Sequence, residues 1–352
     1  MSASKMSSAE RVGLALSHKE ADRVPYLLPV ILQGAQELGL TIEAYFSLAE
    51  NIIQGQLRLR QRYGHDGLFG FMYTAQEVEA WGGSVVFRED GPPNAGAPPL
   101  KASDISRLDP PDPHHCPALC RVLDVIRGLK QRVGDEVPIL GVSIAPFSLP
   151  VMQLGFEAYL DLMFEQPDLH HRLMAINEEF CVAWSNAQLA AGATAISYTD
   201  PVSSPSMVPR EMYLELGLPS AKRTLARLDG PAATGFASAP CLPIIHEVIS
   251  SGTVGVSASS KEDLREMKAA CAGKVTVMGN LNALEMCTWT AAETERQVKA
   301  CIAAAAPGGG FVLTDNHGEI PWQVPREVLM ALGQAVRRWG RYPIDWLDQE
   351  NG

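Results

Sequence analysis

Eight times along this chain a short apolar or β-branched run gives way to turn residues and then to a helical pattern, and no other feature narrows the fold as much. The runs are 24–30, 67–72, 137–143, 193–198, 233–237, 254–258, 275–279 and 310–314. The helical patterns between them cover 42–63, 117–133, 156–164, 167–191, 209–228, 243–250, 261–272 and 291–305. Continuously apolar strands, each followed by a helix, belong in a parallel sheet covered on both faces. Eight such units predict an α/β chain whose strands close as a (β/α)8 TIM barrel. An open doubly wound sheet is the competitor, but no glycine fingerprint follows the first run, as a dinucleotide-binding version requires. The expectation is one domain over residues 1–352, with an N-terminal helical extension and an insertion around 74–116. That insertion holds a β-excursion near 82–89 and a Pro- and Asp-rich tail at 109–115.

Charge limits the partners. The formal net charge is −11 and no Lys/Arg run with interleaved aromatics occurs, so nucleic acid and anionic membrane would be repelled. The seven cysteines have no disulfide-framework spacing and read as reduced thiols. No apolar leader or bilayer-length run appears, which points to the cytoplasm. The glycine run 308–310 lacks a following Lys-Ser or Lys-Thr and reads as a tight turn, not a phosphate loop.

Several segments carry a resemblance. They are residues 11–25 (RVGLALSHKEADRVP), Glu79-Ala80-Trp81-Gly82 and residues 86–93 (VFREDGPP). Residues 141–149 (GVSIAPFSL), residues 186–209, Met278-Gly279-Asn280-Leu281 and Asn316-His317-Gly318 follow. In this order, across nearly the whole chain, they resemble the uroporphyrinogen decarboxylase superfamily. The resemblance implies a TIM barrel with its site at the strands' C-terminal ends. It leaves two chemistries open: decarboxylation, and methyl transfer by zinc-dependent, corrinoid-using enzymes.

Departures from the family pattern weigh between them. A tetrapyrrole crowded with carboxylates calls for Arg and Lys at the mouth. Where the decarboxylases carry an Arg motif ending Gly-Arg-Tyr, this chain reads Leu32-Gln33-Gly34-Ala35-Gln36; where they place a catalytic Asp, it reads Phe71-Met72-Tyr73. The mouth is predicted to be neutral, with substrate contacts from Gln33, Phe71, Met72, Tyr73, Phe147, Tyr198, Asp200, Asn280 and Trp322. For Asp200 an Asx-turn before proline is an equal alternative. The methyltransferases' zinc set, His-x-Cys after the fifth strand and Cys after the eighth, is replaced by Phe236-Ala237-Ser238 and Asn316-His317-Gly318. A substitute zinc site would draw on Cys241 and His317 with an oxygen from Asp315 or Glu319.

His317 comes straight off the last strand, where side chains point at substrate, and is the first candidate acid or donor; Asp315 and Glu319 flank it. His114, His115, His170 and His171 read as surface histidines. The resemblance therefore implies a methyltransferase moving methyl between a small substrate and a cobalamin. No Asp-x-His-x-x-Gly corrinoid-ligating segment is present, so the corrinoid would ride on a separate protein. The alternatives are a decarboxylase for a less anionic substrate and a barrel that binds tetrapyrrole or corrinoid without chemistry. A homodimer through the mouth is possible by analogy with the decarboxylases.

Overall fold

A computed structural model describes residues 6–70 and 73–347. Seven parallel strands form one sheet, paired in chain order: β1 (Leu68–Phe69), β2 (Ile139–Ile144), β3 (Ala195–Thr199), β4 (Ala232–Gly235), β5 (Gly255–Ser257), β6 (Thr276–Leu281) and β7 (Phe311–Asp315). Each coincides with a predicted run. The eighth run, 24–30, differs: it carries one isolated parallel bridge, Tyr26 to Leu313. Pro25 and Pro29 have no N–H to give to a ladder, which explains the missing strand. The segment still touches both edges of the sheet. Leu27 N–H donates to Leu313 O and Leu313 N–H to Pro25 O, both at 2.9 Å, while Asp66 N–H donates to Tyr26 O at 2.8 Å. The sheet thus curls until its first and last strands flank one segment.

Helix Pro117–Val133 starts with proline at its first position, where a missing N–H costs nothing, and ends at Gly134. Its buried residues Leu119, Val122, Leu123, Ile126 and Leu129 recur at helical spacing. Pro167–Ala191 follows the same plan, closing on Gly192 in the left-handed region at φ 115°. The pattern over 42–63 splits into Ile42–Ser47 and Ala49–Tyr63, because Leu48 is extended (φ −129°, ψ 131°). The pattern over 209–228 splits into Arg210–Met212, a π-turn at Tyr213–Gly217, and Leu218–Leu225. Pro219 accounts for the widened turn, since its ring cannot sit in a regular i to i−4 ladder. Helix Arg326–Trp339, which the sequence reading did not place, packs against Ala291–Ala305.

The N-terminal ends of the strands are covered by α1 (Ser8–Leu16), which opens on a Ser7/Glu10 capping box. Thr276 Oγ1 at the start of β6 donates to Ala15 O at 3.1 Å. Beneath β1, buried Asp66 accepts from Ser8 Oγ (3.0 Å), Arg11 (2.7 Å), both terminal nitrogens of Arg23 (2.7 and 2.9 Å) and Tyr26 N–H (3.0 Å). Segment 74–116 carries the helix Gln76–Glu79 and an antiparallel pair, Val85–Val86 with Asn94–Ala95. Among the described residues no helix is long and apolar enough to cross a membrane.

Candidate active site at the C-terminal end of the sheet

A cavity of about 220 Å³ runs down the axis of the curled sheet. Its deeper wall is apolar, formed by Leu27, Phe69, Leu140, Val142 and Met278. Its upper wall carries Thr199, Ser257, Thr314 and the segment Asp315-Asn316-His317-Gly318-Glu319. Among the described residues no Arg or Lys lines it.

The acidic segment is set by the turn after β7. Buried Asp315 accepts the backbone N–H groups of His317 (2.7 Å) and Gly318 (2.8 Å) through Oδ2. Gly318 takes φ 95°, which a side chain would resist. Burial raises the Asp315 carboxyl above its ordinary value, against the pull of those two N–H groups. Glu319 has a buried Oε1 with no hydrogen-bond partner. Burial, with the adjacent Asp315 carboxyl, pushes Glu319 up to about 7. A carboxyl so placed holds a proton near neutral pH.

His317 Nδ1 lies 2.9 Å from Ser238 Oγ, just beyond β4. Ala237 and Ser238 both have positive φ, 46° and 74°, a sparsely populated conformation for residues with a Cβ. Ser259 Oγ holds that turn by donating to Ser238 O at 2.7 Å. Either atom of this pair can donate; a neutral ring protonated on Nε2 accepts the hydroxyl at Nδ1.

Of the residues singled out from sequence, Asp315, His317 and Glu319 come together on the cavity wall. The others are placed differently. Gln33 is buried and donates to Ile320 O (3.1 Å) and Pro321 O (2.9 Å), strapping the loop that carries Glu319. Tyr73 donates to Glu79 (2.8 Å) and packs on Phe46 and Phe87, while its neighbour Thr74 reaches the cavity. Phe147 is in the core against Tyr159 and His170. Tyr198 packs with Cys181, Ala221 and Ala232, because strand alternation turns Ser197 and Thr199 inward instead. Asp200 accepts from Ser148 and Ser203, both at 2.6 Å, and tethers two loops. Its carboxyl is raised to about 6 by burial, held back by those hydroxyls. Asn280 donates to Ser259 O (2.9 Å), and Trp322 is half-buried against the core. Phe71 and Met72 lie outside the described residues. His170, read as a surface residue, is buried, and burial lowers it to about 4; His114, His115 and His171 are exposed.

The zinc site weighed from sequence does not assemble. Cys241 is fully buried in the core with Sγ toward Ser257 O (3.7 Å), and burial raises its thiol well above the ordinary value. Among the described residues no three His, Cys, Asp or Glu side chains converge as metal ligands. The residues present do not fit that ion.

Sequence reasoning passed over Ser238, whose φ no sequence pattern announced, and Glu77. Glu77 is buried in the insertion, accepts Ile144 N–H at 3.0 Å, and is pushed up to about 8 by burial.

An axial cavity walled by parallel strands, with acids on the loop after the last strand, is the architecture of a barrel-type enzyme family. The chain belongs to the uroporphyrinogen decarboxylase family, whose model, described as "Uroporphyrinogen decarboxylase (URO-D)", matches residues 7–339. It is 27% identical over 302 residues to the uroporphyrinogen decarboxylase of Xylella fastidiosa, covering 80% of this chain and 82% of that protein. The enzyme of that name from Alkalilimnicola ehrlichii is 25% identical over 353 residues, covering 94% and 93%. In fold it is similar to a methyltransferase from Methanosarcina mazei, with TM-score 0.85, 20% identity, and 95% and 99% of the two chains covered.

Proposed function

We propose that this chain is a corrinoid-linked methyltransferase, moving a methyl group between a small substrate in the axial cavity and a cobalamin held by a separate protein. The observation that carries the reading is the cavity lining: carboxyl groups and a histidine, with no Arg or Lys for a polycarboxylate. Supporting it, seven parallel strands curl until segment 24–30 bridges first and last, an arrangement compatible with a TIM-like barrel, and the acids lie at the strands' C-terminal ends where such barrels work.

A corrinoid ring is far larger than the cavity, so it approaches from the mouth while the small substrate lies below. The corrinoid supplies a nucleophile that takes the methyl group. The chain's residues serve the heteroatom left behind. As the methyl–heteroatom bond breaks, its electron pair stays on the heteroatom; Glu319 delivers the proton that neutralises it, and His317 Nε2–H holds the heteroatom by a hydrogen bond. Ser238 sets the tautomer of His317, and the apolar wall keeps water from the reacting atoms. The rim offers contact for a partner: Leu48, Val86, Phe156, Phe164, Met207 and Leu284 are exposed, and each lies in a segment running from a strand's C-terminal end toward the next return helix.

Decarboxylation is the second reading, favoured by the names of the relatives and by the protonated carboxyl at the mouth. One experiment separates the two. The purified protein is given reduced cobalamin with small methyl donors, and separately uroporphyrinogen. Conversion of cob(I)alamin to methylcobalamin, lost in His317→Ala, supports methyl transfer. Carboxyl loss from uroporphyrinogen without methylation overturns it.

A further inference from the structure

The interior of a parallel barrel is ordinarily filled by layers of bulky branched side chains. On β3, β4 and β5 most of the cavity lining is small instead, with Ala195, Ser197, Ala233, Gly235 and Ser257 beside Ile196 and Thr199. Those small residues leave the space, and they do so below the level of His317 and Glu319, which come from the loop after β7. An enclosed apolar cavity of about 150 Å³ holds benzene, so about 220 Å³ takes one six-membered ring with a short substituent.

We infer that the substrate is an uncharged molecule with an apolar body the size of a single ring, which enters body first and leaves its reacting heteroatom level with His317 and Glu319. This deepens the methyl-transfer reading and rests on the same cavity. Charge is excluded on both sides of neutrality. An anion would lose its hydration against the apolar wall with no Arg or Lys among the described lining residues to receive it. A cation would lose its hydration to a wall of Leu27, Leu140, Val142 and Met278, with Phe69 the aromatic ring beside them among the described residues. Ala195 and Ala233 then set specificity by size, since every methyl added there comes out of the space for the ring.

The test is isothermal titration of the full chain, without any corrinoid, using three probes that share one ring: anisole, benzoate and phenyltrimethylammonium. Anisole is expected to bind at one site at least tenfold more tightly than either ion. Ala233→Leu should weaken anisole at least tenfold, and Ala195→Val about threefold, with thermal melting reporting that both variants fold. If Ala233→Leu does not fold, Ala195→Val alone decides. Equal or tighter binding of either ion, no anisole binding, or unchanged affinity in the folded variants overturns the inference. Anisole binding without methyl transfer to reduced cobalamin would sink the methyltransferase reading and leave this one standing.

Discussion

At the N-terminal end of the sheet, Asp66 accepts hydrogen bonds from Ser8, Arg11, Arg23 and the Tyr26 N–H. At the C-terminal end, Glu319 Oε1 is as deeply enclosed and accepts none. The first carboxylate sits among cations and is matched bond for bond; the second faces a cavity and is left with a proton to hold. One sheet thus keeps a fully paired carboxylate at one end and an unpaired carboxyl, the proposed reactive group, at the other. Each end should respond to substitution without the other.

The largest expected effect breaks the mouth alone. His317→Ala should lower turnover by about 10²–10³-fold, the usual worth of a hydrogen-bond donor positioned on a reacting atom, with an unchanged melting curve. A parallel loss of melting temperature would mean that His317 also holds the fold, and the contrast between the ends would fail. Next, Asp66→Ala should break the base alone. It strands half-buried Arg23 and leaves buried Arg11 with Asp22 as its remaining carboxylate, and should cost about 3 kcal/mol in urea denaturation while activity per folded molecule persists.

A third effect sharpens the comparison through pH. Glu77, Glu319 and Asp200 hold their protons in the folded chain up to about 8, 7 and 6 respectively, above the unfolded carboxylate range. A raised folded value means that the folded state binds more protons, so this stability is complete below the unfolded values and is lost as pH rises through the folded ones. Melting temperature should therefore fall from about pH 5 to pH 9. Glu77→Gln should flatten the upper part of that fall, and a flat wild-type curve would contradict it. The smallest effect is Ser238→Gly. It removes the hydroxyl facing His317 and also relieves the cost of φ 74°, so stability should hold or rise. The kcat should drop roughly fivefold, the worth of one hydrogen bond near 1 kcal/mol. Ring ¹⁵N shifts placing the His317 proton on Nδ1 in the wild type would refute the role given to Ser238.

Short continuously apolar runs made the strands legible and helical patterning most of the helices, and the segments in family order were sufficient for the family. Patterning failed where proline edits the backbone: Pro25 and Pro29 cancel a ladder, and Pro219 opens a π-turn. At the site, the loop after β7 could be read because it comes straight off the last predicted strand and carries Asn316-His317-Gly318 in family order. Large polar and aromatic residues drew attention at Tyr198 and Phe147, yet both pack outward, while the inward positions Ser197 and Thr199 were passed over for their small size. An axial cavity exists where residues are missing bulk, and missing bulk is a quiet signal in a sequence. Ser238 was hidden for another reason: its place depends on a hydrogen bond across 79 positions of chain, to His317.

The helix α1 laid across the strands' N-terminal ends has a consequence for the order of events. With that end covered, a small substrate and a cofactor brought by a partner, as the methyl-transfer proposal has it, would share one doorway, so the small molecule would go in first and the product would leave only after the partner had lifted off. Initial rates measured while both concentrations vary should then give intersecting lines, with the partner protein in excess slowing turnover by waiting at an occupied door.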